Sequence, residues 1–417
     1  MINATNARRL TATLAWITAL LTASGSAVAA AEPIRLSERC PPGFALSATG
    51  TCELRHLYQL YDSLQGRGVG GTRTALPAHR DGFTPREIDL GRYLFFDPVL
   101  SGDGRRSCAS CHHPALGFSD GRARAVGAAG TPLRRSAPTL WNVAFLKRLF
   151  WDARAESLEE QVQGPLYAPQ EMGNTPSRLL AALRGNATYR RLFREAYPAA
   201  EADGITAAQV YRALAAFQTS LISLNSRYDR YAHGDHDALT EQEVAGLNVF
   251  RSFVARCAEC HTPPLFTNQQ VAVIGAPEPD GLPLDVGAEA VWDSPKMKGG
   301  FKVPTLRNIA TTAPYMHSGR FADLREAVAF YNGGRGHAVP EGEELHIHWH
   351  IWEPDLRDEE LDRLVDFLGA LTDESFMPPI PDRVPSGLAP IGISPLAGDT
   401  RPAQAAPHAS LHSPPGE

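Results

Sequence analysis

Beyond residue 31 the sequence has no apolar run long enough to cross a bilayer, no block of lysine or arginine, and little sulfur: six cysteines and five methionines in 417 residues. A membrane-spanning helix needs about 20 consecutive apolar residues, so no span is expected once the leader described below is removed. With a net charge of −6 and no basic block, nucleic acid is not an expected partner. There is a gap of another kind between His113 and His233, where no histidine occurs and Met172 is the only methionine. That stretch offers a metal one thioether and no imidazole.

What is present is 43% apolar and 21% charged, the balance of a globular chain long enough for two packed domains. Residues 1–31 read as a secretory signal peptide: Arg8 and Arg9, then the apolar run Leu10 to Leu21, then the small residues Ala27 to Ala31. The expected location is the periplasm. Residues 32–77 form an N-terminal extension in which Cys40 and Cys52 pair as a disulfide or remain two free thiols, the oxidising compartment favouring the bond. Residues 377–417, rich in Pro and Ala, read as a disordered tail.

The other four cysteines stand in Cys108-Ala-Ser-Cys111-His112 and Cys257-Ala-Glu-Cys260-His261. In such a motif two thiols form thioethers to a porphyrin and the adjacent imidazole meets the iron from one face. A zinc site would want a second ligand pair near each motif, and a thioredoxin-like dithiol would want a βαβ context. Neither is present, so two covalently bound haem c groups are expected, with His112 and His261 as proximal ligands.

Each motif follows a helical pattern opened by a capping box, Thr84 to Glu87 in one case and Thr240 to Glu243 in the other. Ala137-Pro138-Thr139-Leu140-Trp141-Asn142 parallels Val303-Pro304-Thr305-Leu306-Arg307-Asn308 at an offset of 166 positions, and Leu158 and Val162 fall on Leu324 and Val328 at the same offset. The expected fold is mainly α, with two homologous cytochrome c-like haem domains, 78–235 and 236–376, related by internal duplication.

What each haem does depends on its other face, since a six-coordinate iron transfers electrons and an open one binds a small oxidant. The gap after His113 leaves the first haem five-coordinate or water-ligated. For the second, Met297, Met316, His317 and Tyr331 are candidate ligands. Tyr331 falls at the offset position of Pro165, so one repeat offers a phenol where the other offers a ring with no ligating atom. It can equally be a packed aromatic before the Gly333-Gly334 turn.

The chain resembles the bacterial di-haem cytochrome c peroxidase and MauG family from Thr84 to Phe376. The resemblance rests on Leu94 to Gly102, Ala137 to Leu140, Phe150-Trp151-Asp152, Glu171-Met172-Gly173, Pro304 to Asn308 and Ala313 to His317. It implies that Trp151 lies between the haems, and that Gln161 and Glu171 stand on the distal side of the reactive haem. Conventional peroxidases of the family add a distal histidine to the first haem and a methionine to the second. This chain has no match for that histidine, and it has Tyr331 at the methionine position. MauG-like members share both changes, which implies Tyr331 as the ligand and Met316 as a core residue. The resemblance also implies a calcium ion held by backbone carbonyls of Thr312 and Pro314, with Ser136 at the usual asparagine position.

The expected activity is reduction of hydrogen peroxide at the open haem, with oxidising equivalents stored on both haems and spent on a protein partner. Glu171 acts as proton carrier, Gln161 as orienting amide and Trp151 as conduit. A conventional peroxidase fed by a small cytochrome c or cupredoxin, and a non-enzymatic electron-transfer protein, are the alternatives. Separately, His346, His348 and His350 alternate, which on a strand would put three imidazoles on one face for copper or zinc; as a surface loop they would bind nothing.

Overall fold

The computed structural model describes residues 32–60, 76–199 and 204–392. The segment 1–31, expected to be a signal peptide, lies outside them, as do 61–75, 200–203 and 393–417. Twelve α-helices are described: α1 Pro85–Phe96, α2 Leu158–Gln161, α3 Gln163–Tyr167, α4 Pro176–Gly185, α5 Ala187–Ala196, α6 Ala207–Thr219, α7 Arg227–Ala232, α8 Glu241–Phe250, α9 Cys257–Cys260, α10 Glu289–Trp292, α11 Leu324–Asn332 and α12 Asp358–Gly369. Two antiparallel ribbons accompany them, β1 Phe44–Leu46 with β2 Cys52–Leu54, and β3 Val271–Val273 with β4 Gly300–Lys302. The fold is mainly α.

Both expected capping boxes are formed. Thr84 and Glu87 cap α1 reciprocally, and Thr240 and Glu243 cap α8, so each helix that leads into a haem motif starts at a fixed residue. Each of these helices then crosses a long partner at a glycine. A Cβ added at Gly91 of α1 would lie 1.8 Å from the Ala213 carbonyl oxygen of α6, and one at Gly246 of α8 would lie 1.9 Å from the Arg363 carbonyl oxygen of α12. Only a residue without a side chain permits either crossing. Phe217 and Phe367 fill the equivalent place beside each glycine.

The two halves share strained backbone as well as helices. Asn142 and Asn308 have φ of +61° and +57°, Phe150 and Met316 +66° and +72°, and Ala153 and Gly319 +63° and +64°; every pair is 166 positions apart. Left-handed backbone at a non-glycine residue costs on the order of 1–3 kcal/mol and persists only where the surroundings impose it. The antiparallel bridges Leu149 to Ala155 and Tyr315 to Phe321 repeat at the same offset. One matched position diverges. The first half breaks into α2 and α3 around Val162, ahead of Pro165, whereas α11 runs unbroken through Tyr331.

The described residues from Arg35 onward form one compact unit. Asn142 exchanges two hydrogen bonds with the backbone of Ser223, whose hydroxyl donates to Asn308 Oδ1 at 2.6 Å. Arg307 occupies the offset position of Trp141 and is fully buried. It forms a two-pronged ion pair with buried Asp229, which also accepts from Ser226 and from Tyr58 of the extension.

The two ends of the described chain fare differently, and the expectation of a free tail is corrected. The described part of the extension is tied down: Cys40 and Cys52 form a disulfide, Cys52 packs with Phe83, Ile88 and Ala216, and Tyr58 joins Phe145, Leu224 and Leu265. The segment 377–392 is ordered rather than a free tail. Ser386 donates hydrogen bonds from its hydroxyl and its N–H to the buried Asp97 carboxylate, Asn186 donates to the Pro385 carbonyl, and Ile391 N–H donates to Phe96 O. Pro and Ala content misleads here because a few backbone groups and one serine satisfy partners on α1 and α5.

Burial pushes the Asp229 carboxyl up, but the charge and hydrogen bonds of Arg307 outweigh it and hold the group below the usual carboxylate range. The stability this contributes is present above that range and lost as pH falls through the depressed value. Replacing Asp229 with Asn strands a buried guanidinium and should cost about 3–5 kcal/mol in denaturant unfolding, most visibly near neutral pH.

Candidate functional site

Two cavities lie where the haem motifs fold. In each motif a single helical turn brings the histidine N–H onto the first cysteine's carbonyl, His112 to Cys108 at 2.9 Å and His261 to Cys257 at 2.8 Å. Both thiols and the imidazole therefore border one space. The first cavity is lined by Cys108, Cys111 and His112 together with Gln161, Pro165, Glu171 and Met172. The second is lined by Cys257, Cys260, His261, Trp151 and Tyr331. The segment Ala137 to Leu140 borders both, Leu140 facing the first and Pro138 and Thr139 the second.

His112 Nδ1 lies 2.8 Å from the Phe118 carbonyl, and His261 Nδ1 lies 3.1 and 3.2 Å from the carbonyls of Phe266 and Pro304. A carbonyl only accepts, so Nδ1 carries the proton in both rings and Nε2 keeps its lone pair. Burial lowers both imidazole pKa values, His261 to about 4. Neutral rings with a fixed tautomer and paired thiols one turn away are the donor set that covalent haem requires.

Glu171 is half-buried beside the first cavity, held by its N–H on the Ala168 carbonyl at 2.9 Å. Burial raises its pKa, and the charge of Arg154 opposes that only in part. Gln161 sits at the end of α2 on the same cavity. Among the described residues Met172 is the only methionine lining it, and no imidazole besides His112 does.

In the second cavity Tyr331 stands in the last turn of α11, its phenol pushed up by burial and then by the neighbouring Cys257 and Cys260. Met316 and His317 also line this space, whereas Met297 does not. His317 is held by Glu278 at 2.8 Å and stacks on Phe301 at 3.8 Å. Trp151 lies on this second cavity, its ring 6.5 Å from His317 and its Nε1–H donated to the Ser136 carbonyl at 3.0 Å. Ser136, Thr312 and Pro314 line the cavity too, and Ser136 Oγ donates to the Met316 carbonyl at 3.0 Å.

The histidine run is not a strand. The chain turns at Trp349 and His350, which destroys the alternation. His346 is left out, while His348, His350 and Cys260 bring one ligating atom each to within 4.8 Å of one another. Sequence reasoning also missed Lys302, half-buried on the second cavity with its ammonium pushed down to about 8 by desolvation. Its only signal was its position, 166 after Ser136 at the head of the repeated segment.

Residues 85–237 match the family described as di-haem cytochrome c peroxidase. The chain is 39% identical over 251 residues to the methylamine utilization protein MauG of Methylorubrum extorquens, covering 60% of this chain and 70% of that protein. It belongs to the di-haem cytochrome c peroxidase and MauG family. Cytochrome c551 peroxidase of Nitrosomonas europaea is 34% identical over 59% of this chain and 73% of its own length. Among solved structures, a MauG-like protein associated with microbial copper homeostasis aligns with a TM-score of 0.64 at 32% identity, over 70% of this chain and 91% of that one. The di-haem peroxidase BthA of Burkholderia thailandensis aligns at 0.57 and 28%, over 78% and 95%. Membership makes the chain a di-haem oxidoreductase that uses haem c. Among the described residues no helix is long and apolar enough to cross a membrane.

The intact protein should therefore carry two covalent haems by mass spectrometry. The paired variant Cys108→Ala with Cys111→Ala should carry one, and so should Cys257→Ala with Cys260→Ala. Two haems retained in either variant would contradict the assignment.

Proposed function

We propose that the protein is a periplasmic di-haem peroxidase of the MauG-like branch, which reduces hydrogen peroxide at the His112 site and spends the oxidising equivalents on a partner protein. One observation carries the reading: Gln161 and Glu171 share a cavity with Cys108, Cys111 and His112, and among the described residues no second imidazole borders it. Cys108, Cys111, Cys257 and Cys260 would hold the two haems, His112 and His261 would be their proximal ligands, and Tyr331 would close the second. Bound haem supplies the redox centre that delivers electrons to the reacting oxygen.

The chain's own part is proton movement, orientation and insulation. Glu171, as carboxylate, takes a proton from one peroxide oxygen and returns it to the other, so that the departing oxygen leaves as water. Its partial burial keeps that carboxylate basic enough to accept the proton. The Gln161 amide donates to the peroxide and holds it end-on to Glu171. Pro165 adds bulk and no ligating atom, which keeps that face available to substrate. Trp151, on the wall of the second cavity, carries the oxidising equivalent from the first site to the second. A calcium ion on the Thr312 and Pro314 carbonyls and Ser136 would brace that wall.

The conventional peroxidase remains the rival reading, and rapid steady-state turnover with reduced cytochrome c would favour it. For the proposed role, Glu171→Gln should slow peroxide-driven haem oxidation by about 10²–10⁴-fold. The wild-type rate should also fall as pH drops through a value above the ordinary carboxylate range, because the reactive form is the carboxylate and burial raises its pKa. Glu171→Gln should lack that acid limb. An unchanged rate, or the same limb in the variant, would remove Glu171 from the mechanism.

A further inference from the structure

A cluster of aromatic side chains lies on the surface beside the second cavity, which Arg256 and Trp352 line. Phe253, Trp349 and Trp352 gather round Arg256, whose guanidinium carbon is 4.2, 5.9 and 4.6 Å from the three ring centres. Phe253 is 75% exposed and Trp349 64%, unusual values for rings of that size in a patch rather than singly. Exposed Trp and Phe around an Arg are the composition of a protein-binding hot spot.

Beneath the patch runs an unbroken line of contacts. The Trp349 ring meets the His350 ring at 3.6 Å between centres, and His350 Nδ1 lies 4.0 Å from Cys260 Sγ. His350 Nε2 is anchored by Glu259 at 2.8 Å, which fixes the imidazole between the indole and the cysteine. His350 and Arg256 both line the cavity, so the line ends at the wall of the proposed second haem site.

We propose that Trp349 is the surface terminal through which a one-electron-donating protein feeds the second site, with His350 as the bridging ring. The proposal rests on the peroxidase reading, which supplies the oxidant. The net step moves one electron: Trp349 gives one inward to the oxidised site, and the resulting indole radical cation takes one from the partner docked on Phe253, Trp349 and Trp352. No bond forms or breaks in this chain, and the partner is left oxidised by one electron. A metal at Cys260, His348 and His350 is the competing use of the cluster. A thioether at Cys260 removes its thiol, which leaves that cluster two imidazoles.

The holoprotein is first oxidised with one equivalent of hydrogen peroxide and then mixed with rising concentrations of ferrous cytochrome c. Trp349→Phe should lower the limiting rate at saturating donor by about tenfold or more, while Trp352→Phe changes it by less than about twofold. A change in Trp349→Phe confined to the donor concentration at half-saturation would make Trp349 a docking residue and overturn the relay. So would an unchanged limiting rate. Without donor, peroxide should add oxygen to Trp349 in a peptide mass map but spare Trp292, which is 43% exposed and lines neither described cavity. Equal modification of both would show that exposure alone governs oxidation and would overturn the proposal. An absence of any haem absorbance change with peroxide overturns the parent reading and this one together; a normal change with an unaffected Trp349→Phe rate overturns this one alone.

Discussion

The arrangement turns on one hydrogen bond made twice: a half-buried imidazole giving its Nδ1 proton to the carbonyl of a phenylalanine held in left-handed backbone. Phe118 and Phe266 supply those carbonyls from backbone at φ of +59° and +54°. The bond sets the tautomer, leaves Nε2 as the free nitrogen, and requires the loop after each Cys-x-x-Cys-His to fold back on its own motif. The rest of each half supports that loop. Thr139 and Thr305 donate to the carbonyls of Gly117 and Leu265, and buried Arg307 donates to Pro264 O.

The halves repeat in backbone and differ in what they place on each cavity. Where α11 is continuous, its last turn delivers a phenol; in the first half the helix breaks at Val162, one turn ahead of Pro165, and no ligating atom is delivered. A prolyl ring cannot continue the helical hydrogen-bond ladder, so one substitution both removes a ligand and reshapes the wall. The next turn then brings Glu171 to the cavity at a raised pKa. The proposed division of labour between the two sites follows from that local difference, the cavities being otherwise built by the same devices.

Much of this was legible in the sequence for physical reasons. The haem motifs, the capping boxes and the 166-residue offset are local patterns, and local patterns survive reading one residue at a time. Gln161 and Glu171 were legible through family spacing, and the structure brings both to the cavity of His112. The misses are contacts across long sequence separations. Composition said nothing of Tyr58 reaching Asp229, of Ser386 reaching Asp97, or of His350 reaching Cys260, because each depends on where a surface segment lands after folding. Alternation at His346, His348 and His350 suggested a strand that the turn at Trp349 and His350 replaces.

The central claim is that the two haem sites are unequal, the first open and the second closed by Tyr331. Electron paramagnetic resonance of the resting ferric holoprotein tests it most directly. The account predicts one high-spin and one low-spin signal, with Tyr331→Phe altering only the low-spin one. Two low-spin signals, as Met172 ligation to the first haem would give, would contradict it.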